Sequence, residues 1–248
     1  MLFIRSLLFN IVGWVSIFLF ACVLIVTFWA PHRLHWWLCV TWCRFASWSV
    51  DRICGLRVEI EGRENIPDEP SIIMLKHTST FETFWHVTLF PQTVWVVKRE
   101  LLWIPFIGWA IYLALDPIAI DRSSGRSAIK QVIEQGTEKL ARGIWVSIFP
   151  EGTRMPPGET RKYGISGAAL AREAGVKIVP VAHNAGDLWQ RRSFSKKPGT
   201  IRVRIGPAID PSGLPPKETN VIVQEWIETQ MDDISDVYKE KHVQPSPD

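Results

Sequence analysis

The chain has 248 residues, of which 47% are hydrophobic, and a formal net charge of +3 at pH 7. This length suits one catalytic domain with a buried core, and the scattered basic residues argue against a nucleic-acid-binding protein. Thirteen tryptophans and twelve phenylalanines are many for a soluble protein, and a large share of them fall within the first fifty residues. Such rings are typical of a segment at the lipid–water boundary.

The first element is an apolar segment, residues 6–32, which carries no charged side chain when His32 is neutral. A helix of this length is long enough to cross roughly 30 Å of hydrocarbon. Its end lacks the short apolar core and small-residue cleavage pattern of a secretory signal. A second apolar stretch, Leu34 to Val50, is interrupted by Arg44. A single crossing and a helical hairpin in one leaflet both fit, and residues 1–50 are assigned as a membrane anchor of one or two helices.

Charge and cysteine placement suggest how the anchor is oriented. The amino terminus and Arg5 precede the apolar segment, whereas the arginines that follow it are Arg33, Arg44, Arg52 and Arg57. The positive-inside tendency therefore predicts that the main domain lies in the cytoplasm. All four cysteines fall in or beside the anchor, which argues against a disulfide framework or a cysteine-rich metal site.

Beyond the anchor, short β-branched runs alternate with helical patterns. The runs that predict strands are Leu56 to Ile60, Ser71 to Leu75, Val94 to Val97, Ile118 to Ile120, Ile144 to Phe149, Ile178 to Ala182 and Ile201 to Ile205. An amphipathic helix is predicted between Gly125 and Arg142, and one C-terminal helix from a stripe that begins at Ile222 and ends at Tyr238. This order predicts an α/β fold with a mixed, mostly parallel sheet flanked by helices. We assign the catalytic domain to residues 51–241 and a disordered tail to residues 242–248.

An imidazole and a carboxylate follow the second predicted strand. His77 and Glu82 are five residues apart, a spacing at which side chains on a regular helix point about 140° away from each other. We therefore expect the pair to straddle a helix start, with N-cap candidates among residues 78–80. There Glu82 accepts a hydrogen bond from one ring nitrogen, which leaves the other as a general base for a hydroxyl group. Taken alone, the pair also fits a histidine that caps a helix beside a solvated glutamate.

A second polar motif, Phe149-Pro-Glu-Gly-Thr-Arg154, ends the strand predicted from Ile144. The ends of strands in α/β proteins are where ligands bind, so this junction is expected to present charge to a substrate. Two rival chemistries are disfavoured. The stretch from Gly164 to Ala168 lacks the last glycine of a serine-hydrolase nucleophile elbow, and the chain contains no His-Glu-x-x-His metal motif.

Four ordered blocks resemble those of the glycerolipid acyltransferase family, specifically its 1-acylglycerol-3-phosphate acyltransferase branch. They are His77-Thr-Ser-Thr-Phe-Glu82, Val97-Lys-Arg-Glu-Leu-Leu-Trp-Ile-Pro-Phe-Ile-Gly108, Phe149-Pro-Glu-Gly-Thr-Arg154 and Ile178-Val-Pro-Val181. The resemblance covers roughly residues 60–182, and the first and third blocks lie about seventy residues apart. In the family the first block usually ends in aspartate. Glu82 keeps the charge and adds a methylene, which alters its reach.

The resemblance implies that His77 deprotonates the acceptor hydroxyl, which attacks an acyl thioester directly, and that Glu82 is its partner. It also implies that the acidic residue and glycine of the third block shape the acceptor site while its arginine holds phosphate. Arginine suits this role because it forms paired hydrogen bonds to phosphate oxygens. The substrate-binding residues expected on this basis are Lys98, Arg99, Arg122, Glu151, Gly152, Thr153 and Arg154.

The resemblance further implies no cofactor or metal, with acyl-CoA or acyl-acyl-carrier protein as co-substrate. The expected acceptor is 1-acyl-sn-glycerol-3-phosphate, which would give phosphatidic acid. Other lysophospholipids, a lyso-ornithine lipid, or a non-catalytic lipid-binding role remain alternatives. We expect the lipid bilayer and no nucleic acid as a partner, and a place at a bacterial inner membrane with the catalytic domain facing the cytoplasm.

Two further segments suit a lipid substrate. Leu101 to Leu115 is nearly unbroken apolar sequence, and we expect it to line an acyl-chain groove or to contact the bilayer, with plain core as the alternative. A basic cluster surrounds Phe194, and either contact with anionic groups or a solvated loop fits it. The cluster consists of Arg191, Arg192, Lys196 and Lys197.

Overall fold

A computed structural model describes residues 1–121 and 124–243 of the protein. The chain begins with a hairpin of two helices, α1 (Leu2–Val26) and α2 (His32–Ser49), followed by a π-helical turn. Helix α2 begins directly after Pro31, which cannot donate a backbone hydrogen bond to a preceding turn. The two helices run antiparallel, since the Trp42 indole N–H donates to Ser16 Oγ at 3.2 Å and the Trp42 ring stacks on Phe20.

Helix α1 is the one described helix that is long and apolar enough to cross a membrane. Both halves of α1 also contact the rest of the protein. Near its start, Ser6 Oγ accepts a hydrogen bond from the backbone N–H of Lys196 at 3.0 Å, and further along, Phe18 contacts Phe106 at a ring-centroid distance of 5.6 Å. The hairpin therefore lies along the catalytic domain. Its outer surface remains apolar and exposed, at residues that include Phe3, Leu8, Ile11, Trp14, Val15, Leu19, Trp37 and Trp48.

The domain is built on a seven-stranded sheet with the order β1-β7-β6-β2-β5-β3-β4. Strands β6, β2, β5, β3 and β4 run parallel, whereas β7 is antiparallel to β6 and β1 is parallel to β7. This is the mixed, mostly parallel sheet that the sequence predicts. The strands are β1 (Leu56–Glu61), β2 (Ile72–Leu75), β3 (Thr93–Lys98), β4 (Ile118–Ile120), β5 (Trp145–Ile148), β6 (Ile178–His183) and β7 (Gly199–Ile205).

Helices cover both faces of this sheet. They are α3 (Phe81–Trp85), α4 (Ile107–Leu115), α5 (Arg126–Ala141), α6 (Ser166–Ala174), α7 (Ala185–Leu188), α8 (Pro216–Ile234) and α9 (Asp236–Val243). Ile73 and Leu75 of β2 pack on the side of α1 to α4, while Ile72 and Met74 pack with α5, α6 and α8. The alternation follows from the two-residue period of a strand. The anchor hairpin is thus one of the layers that bury the sheet.

The C-terminal prediction needs a correction, because two helices replace the single expected one. Helix α8 ends at Ile234, and the hydroxyl of the next residue, Ser235, donates to both carboxylate oxygens of Asp187 at 3.0 and 2.9 Å. The expected stripe also placed Ile222 in the core, but Val223 is fully buried and Ile222 is 40% exposed. Helix α9 continues to Val243, and the remainder of the predicted tail lies outside the described residues.

The parallel strands bring the predicted site segments to one edge of the sheet. The carboxyl ends of parallel strands share an edge, and polar side chains gathered there have little competing packing. His77 follows β2, Glu151 follows β5, and Lys98 ends β3. Arg122 comes shortly after β4 in the sequence but lies outside the described residues.

Candidate active site

His77 and Glu82 are in direct contact at the start of α3. His77 lies in the turn after β2, and Glu82 is in the first turn of the helix. The distance from His77 Nδ1 to Glu82 Oε1 is 2.9 Å. The same oxygen accepts hydrogen bonds from the backbone N–H groups of Thr78 at 3.0 Å and Ser79 at 2.8 Å. The carboxylate of Glu82 therefore orients the imidazole and also holds the backbone at the start of the helix.

The charge state of Glu82 determines which ring nitrogen of His77 carries the proton. Burial alone would raise the pKa of Glu82, but the imidazoles of His183 and His77 and the N–H of Ser79 outweigh it and lower the pKa. An ionised carboxylate only accepts hydrogen bonds. His77 Nδ1 must therefore donate, and Nε2 of the neutral ring is left as an acceptor that can take a proton.

The ring and the backbone of His77 are held by neighbouring elements as well. The imidazole stacks on Phe149, with ring centroids 4.1 Å apart and an interplanar angle of 24°. Its backbone N–H donates to Glu151 Oε2 at 3.1 Å, and its carbonyl accepts from the backbone N–H of Met155 at 2.7 Å. The third block and Met155, the residue that follows it, thus hold both of the backbone polar groups of His77.

Behind the pair lies the buried histidine His86. The Trp95 indole N–H donates to His86 Nε2 at 3.1 Å, so His86 Nδ1 carries a proton and donates to the carbonyl oxygen of Glu82 at 2.6 Å. Burial lowers the pKa of His86 to about 4, against the opposing pull of Glu82. His86 is therefore neutral, and it fixes the backbone of Glu82.

A second buried histidine, His183 at the end of β6, was missed by sequence reasoning. The Ala185 N–H donates to His183 Nδ1 at 3.3 Å, so Nε2 carries the proton and donates to the carbonyl of Lys76 at 2.7 Å. This Nε2 is also 3.9 Å from Glu82 Oε2. Burial lowers the pKa of His183 despite the nearby carboxylate of Glu82. The sequence does contain a signal for it, because His183 is a polar residue at the end of a predicted buried strand.

The third block, residues 149–154, forms a tight turn after β5. The N–H of Gly152 donates to the carbonyl of Phe149 at 2.9 Å, and Gly152 has φ = 67°, a region that favours glycine. A side chain on Gly152 would meet open space, so backbone conformation explains the glycine. Thr153 follows in the bend, half-buried. Arg154 comes next, and its Nε is buried without a hydrogen-bond partner among the described residues.

Arg154 lies on the wall of a large cavity between the N-terminal hairpin and the catalytic domain. The cavity has a volume of about 570 Å³. Most of its lining is apolar and comes from α1 and α2, including Phe9, Val12, Ile17 and Trp42. Its other walls include Thr80 and Phe84 beside the catalytic loop, and the cations Arg154, Arg192 and Lys196. The space suits an apolar chain with an anionic end.

Lys196 in this wall is not part of a solvated loop. It is 1% exposed, and its ammonium lies 4.8 Å from the centre of the Trp189 ring and also faces the rings of Phe9 and Phe194. Burial lowers the pKa of Lys196. Its hydrogen bond to Asn10 Oδ1 joins the domain to α1, and its hydrogen bond to the carbonyl of Phe194 lies within its own loop.

Lys98 and Arg99 stand apart from this cavity. Lys98 is half-exposed and pairs with Glu100 at 3.3 Å, and Arg99 donates to Gln131 at 3.3 Å. Strand β3 is separated from β2 by β5, which places its end about 10 Å from the end of β2 at the usual strand spacing. Phosphate binding by this pair stays a prediction, as does the role of Arg122.

Apolar residues 101–115 also lie elsewhere than in the cavity. They contain α4, which packs against α1, while Trp103, Trp109 and Tyr112 remain exposed. Leu102, Trp109, Tyr112 and Leu113 also line a second, apolar cavity of about 410 Å³, so the acyl-groove and bilayer-contact interpretations of this segment both stay predictions. In the described part of the chain, no group of three or more His, Cys, Asp or Glu side chains is placed to hold a metal ion.

The sequence model described as Acyltransferase matches residues 57–184, which contain the strand-end loops described above. The chain belongs to this acyltransferase family. A 1-acyl-sn-glycerol-3-phosphate acyltransferase of Pseudomonas aeruginosa is 46% identical over 221 residues, which are 87% of this chain and 86% of that protein. A 1-acyl-sn-glycerol-3-phosphate acyltransferase alpha of Mus musculus is 32% identical over 169 residues, which are 66% of this chain and 59% of that protein.

A solved structure shares the fold of this acyltransferase. It is the 1-acyl-sn-glycerophosphate (LPA) acyltransferase PlsC from Thermotoga maritima, with a TM-score of 0.76 and 22% sequence identity. The match covers 93% of this chain and 94% of that chain, so it includes the N-terminal hairpin as well as the sheet. The α/β architecture is thereby shown as a whole.

Within the acyltransferase domain, the predicted site residues fall into two groups. His77, Glu82 and Glu151 are brought together at the carboxyl ends of β2 and β5, and Arg154 adjoins them through Met155. Glu151 is 2% exposed, so its carboxylate acts on the site through the backbone of His77. Lys98 and Arg99 form the outer group.

Proposed function

We propose that this acyltransferase moves a fatty acyl group from acyl-CoA or acyl-acyl-carrier protein to the free hydroxyl of 1-acyl-sn-glycerol-3-phosphate, which gives phosphatidic acid. The acceptor is suggested by the name of the Pseudomonas aeruginosa relative at 46% identity. The observation that carries the chemistry is the 2.9 Å contact between His77 Nδ1 and an ionised Glu82. A carboxylate so placed holds the other ring nitrogen ready to accept a proton.

The reaction follows from this arrangement. His77 Nε2 removes the proton from the acceptor hydroxyl while the oxygen forms a bond to the thioester carbonyl carbon. Glu82 stabilises the imidazolium that results, because an opposite charge at hydrogen-bond distance favours the charged ring. When the tetrahedral intermediate collapses, the carbon–sulfur bond breaks and the imidazolium returns the proton to the thiolate. Direct transfer needs no protein nucleophile.

Arg154 is the best-placed residue for the acceptor phosphate. Its unpaired, buried Nε is an unmet donor in a wall of the cavity, and an unmet buried donor is costly unless a ligand satisfies it. A guanidinium can bind two phosphate oxygens at once. The carbonyl of Arg154 also accepts a hydrogen bond from Arg191 at 3.1 Å, which adds a second cation to this region.

The apolar cavity would take a fatty acyl chain. Its volume of about 570 Å³ lies within the roughly 300–1,000 Å³ of ligand pockets, and its lining of Phe9, Val12, Ile17 and Trp42 offers no strong hydrogen-bonding groups besides the indole. That indole N–H is already occupied by Ser16. A chain lying here would extend from Thr80, beside the base, along the inner face of α1.

The exposed apolar surface of the hairpin would bring the enzyme to its lipid substrate. Trp14, Phe18, Trp103 and Trp109 lie on α1 and on the segment that packs against it, and each is at least 47% exposed. Aromatic rings of this kind favour the membrane interface. Because both halves of α1 contact the domain, we favour a hairpin embedded in one leaflet over a single crossing, at an inner membrane with the domain in the cytoplasm.

Acyl transfer by the purified protein across a panel of lysolipids, scored by product mass, tests this function. We expect phosphatidic acid from 1-acyl-sn-glycerol-3-phosphate with at least one of the two thioester donors. Preferred transfer to a phosphate-free or ornithine-containing lysolipid would replace the acceptor. No transfer to any lysolipid, with lipid binding intact, would favour a non-catalytic lipid-binding protein.

A further inference from the structure

A charged cluster lies on the opposite face of the sheet from the cavity, and the reaction described above makes no use of it. Lys76 follows β2 directly and lies two residues after Met74, so its side chain is on the face that α8 covers, where it contacts Glu228. The Lys76 side chain has no exposed surface. Its ammonium is 2.9 Å from Glu151 Oε1 and 2.7 Å from Glu228 Oε1 on α8.

The partners of Lys76 are themselves fixed. Glu228 Oε1 accepts hydrogen bonds from the hydroxyls of Thr160 at 2.8 Å and Tyr163 at 2.7 Å. The Lys76 ammonium also lies 5.5 Å from the centre of the Tyr238 ring. Burial alone would lower the pKa of Lys76, but Glu151, Tyr238 and Glu228 outweigh it and raise the pKa, so the lysine is charged. A buried charge with paired carboxylates is stable, whereas the loss of one partner leaves a charge uncompensated.

The cluster reaches the catalytic base through a chain of short contacts. Glu151 uses Oε1 for Lys76 and Oε2 for the backbone N–H of His77, at 3.1 Å. The carbonyl of Lys76 is bound by His183 at 2.7 Å. The carbonyl of Lys76 and the N–H of His77 form the single peptide group that joins the two residues, so this group is held at both of its polar atoms. Helix α8 is connected to the base through Glu228, Lys76 and Glu151.

We propose that Lys76 and Glu228 are positioning residues for the acyltransferase reaction: their ion pair holds Glu151 in the place from which it fixes the backbone of His77. This inference rests on the proposed role of His77 as the base. Lys76 touches no substrate, because its side chain is fully buried on the far side of the sheet. Its effect is on the direction in which the imidazole points, and a misplacement of about 1 Å can cost about 100-fold in rate.

The test compares the single variants Lys76→Met and Glu228→Gln with the double variant Lys76→Met/Glu151→Gln. We expect Lys76→Met to lower kcat about 10- to 100-fold with KM for both substrates within about twofold, because the base is misaligned while the cavity is intact. Glu228→Gln should change the same parameter by a smaller factor. The double variant should recover part of kcat, since a glutamine carbonyl at position 151 still accepts from His77 and no longer places an unpaired charge beside the base.

A matched control is available in Lys139, another buried lysine in an ion pair. It contacts Asp116 and lies on α5, away from the catalytic loop. Lys139→Met should lower the melting temperature and leave kcat unchanged, which separates loss of stability from misalignment. Circular dichroism and thermal melting are recorded for each variant, and Glu228→Gln remains informative if Lys76→Met does not fold.

The proposal is overturned if folded Lys76→Met or Glu228→Gln retains the wild-type kcat, or if the double variant is no faster than Lys76→Met. An effect confined to the melting temperature, as for Lys139→Met, would also overturn it. A wild-type protein that transfers no acyl group to any lysolipid would instead remove the proposed function itself, so the two failures are distinguishable.

Discussion

The backbone N–H of Met155 donates a hydrogen bond to the carbonyl oxygen of His77 at 2.7 Å. Arg154 immediately precedes Met155, so this contact fastens the cationic loop after β5 to the loop that carries the base after β2. Neighbouring parallel strands make the contact possible, since β2 and β5 are hydrogen-bonded to each other. The base His77 and the proposed phosphate-binding residue Arg154 are therefore positioned by connected loops. A disturbance of either loop should affect the position of both residues.

The Glu82 carboxylate should be required for rate. Glu82→Gln removes the charge that stabilises the imidazolium, and we expect kcat to fall by at least about 100-fold, by analogy with triads that lose their acid. Glu82→Asp keeps the charge at a shorter reach and should retain a measurable part of the activity. Initial rates of product formation measure both. Equal rates for Glu82→Gln and the wild type would remove Glu82 from the mechanism.

Arg154 should control binding of the acceptor. Arg154→Ala is expected to raise KM for a phosphate-bearing lysolipid about tenfold or more, with a smaller change for a phosphate-free one, because a paired, charge-assisted contact is lost. Arg172→Ala is the control, since Arg172 is exposed on α6. If KM for the phosphate-bearing acceptor is unchanged, the phosphate binds elsewhere, and Lys98 and Arg99 become the next residues to test.

The cavity should set the acyl-chain length. Val12→Phe adds a ring to the inner face of α1 and is expected to shift the preferred donor to shorter chains by filling part of the cavity. Val15→Phe is the matched control, because Val15 is 54% exposed on the outer face of the same helix. Competition among thioesters of different length measures the preference. An identical profile for Val12→Phe and Val15→Phe would place the chain outside this cavity.

His86 should contribute a pH-dependent component of stability. Between its folded-state pKa of about 4 and the ordinary value near 6.5, the unfolded chain binds a proton that the folded chain lacks. The folded protein should therefore lose up to about 3 kcal/mol from this group as pH falls through that window. His86→Gln keeps both hydrogen bonds and does not titrate.

Two carboxyl groups, the buried Glu151 and the partly buried Asp187, make the comparison with His86→Gln necessary. Burial raises the pKa of Glu151 against the opposing pull of Lys76 and raises that of Asp187 to about 6, and each group lowers stability as pH rises above the ordinary pKa of a carboxyl group. Their contributions cancel when the wild type and His86→Gln are subtracted. Chemical denaturation from pH 4 to 7 should show the difference growing with pH, and a flat difference would mean that His86 is charged or exposed.

The sequence was sufficient for features that depend on local patterns. The β-branched runs predicted all seven strands, and the five-residue spacing of His77 and Glu82 predicted a pair that straddles a helix start. Both follow from short-range geometry and burial. The Gly152 turn was also local, because it depends on a positive φ at a single residue.

Features that depend on distant contacts were beyond sequence reasoning. The break at Ser235 rests on Asp187, 48 residues away, and the cluster around Lys76 rests on Glu228, 152 residues away. Hydropathy predicted a membrane segment at α1 but gave no sign that the inner face of this helix would line a cavity beside the domain. Lys196 looked like a surface cation, and only the packing of α1 against it explains why it is buried.

The most direct test of the central claim is the rate of acyl transfer by His77→Ala and His77→Gln beside the wild type, with membrane binding and folding checked. Both variants should bind membranes and fold but form no phosphatidic acid above the uncatalysed rate, because neither side chain can accept the hydroxyl proton. Glutamine at position 77 can still donate a hydrogen bond to Glu82. Loss of activity in His77→Gln would therefore show that the histidine is needed as a base and not only for this hydrogen bond. Turnover near the wild-type rate in either variant would contradict the assignment of His77 as the base.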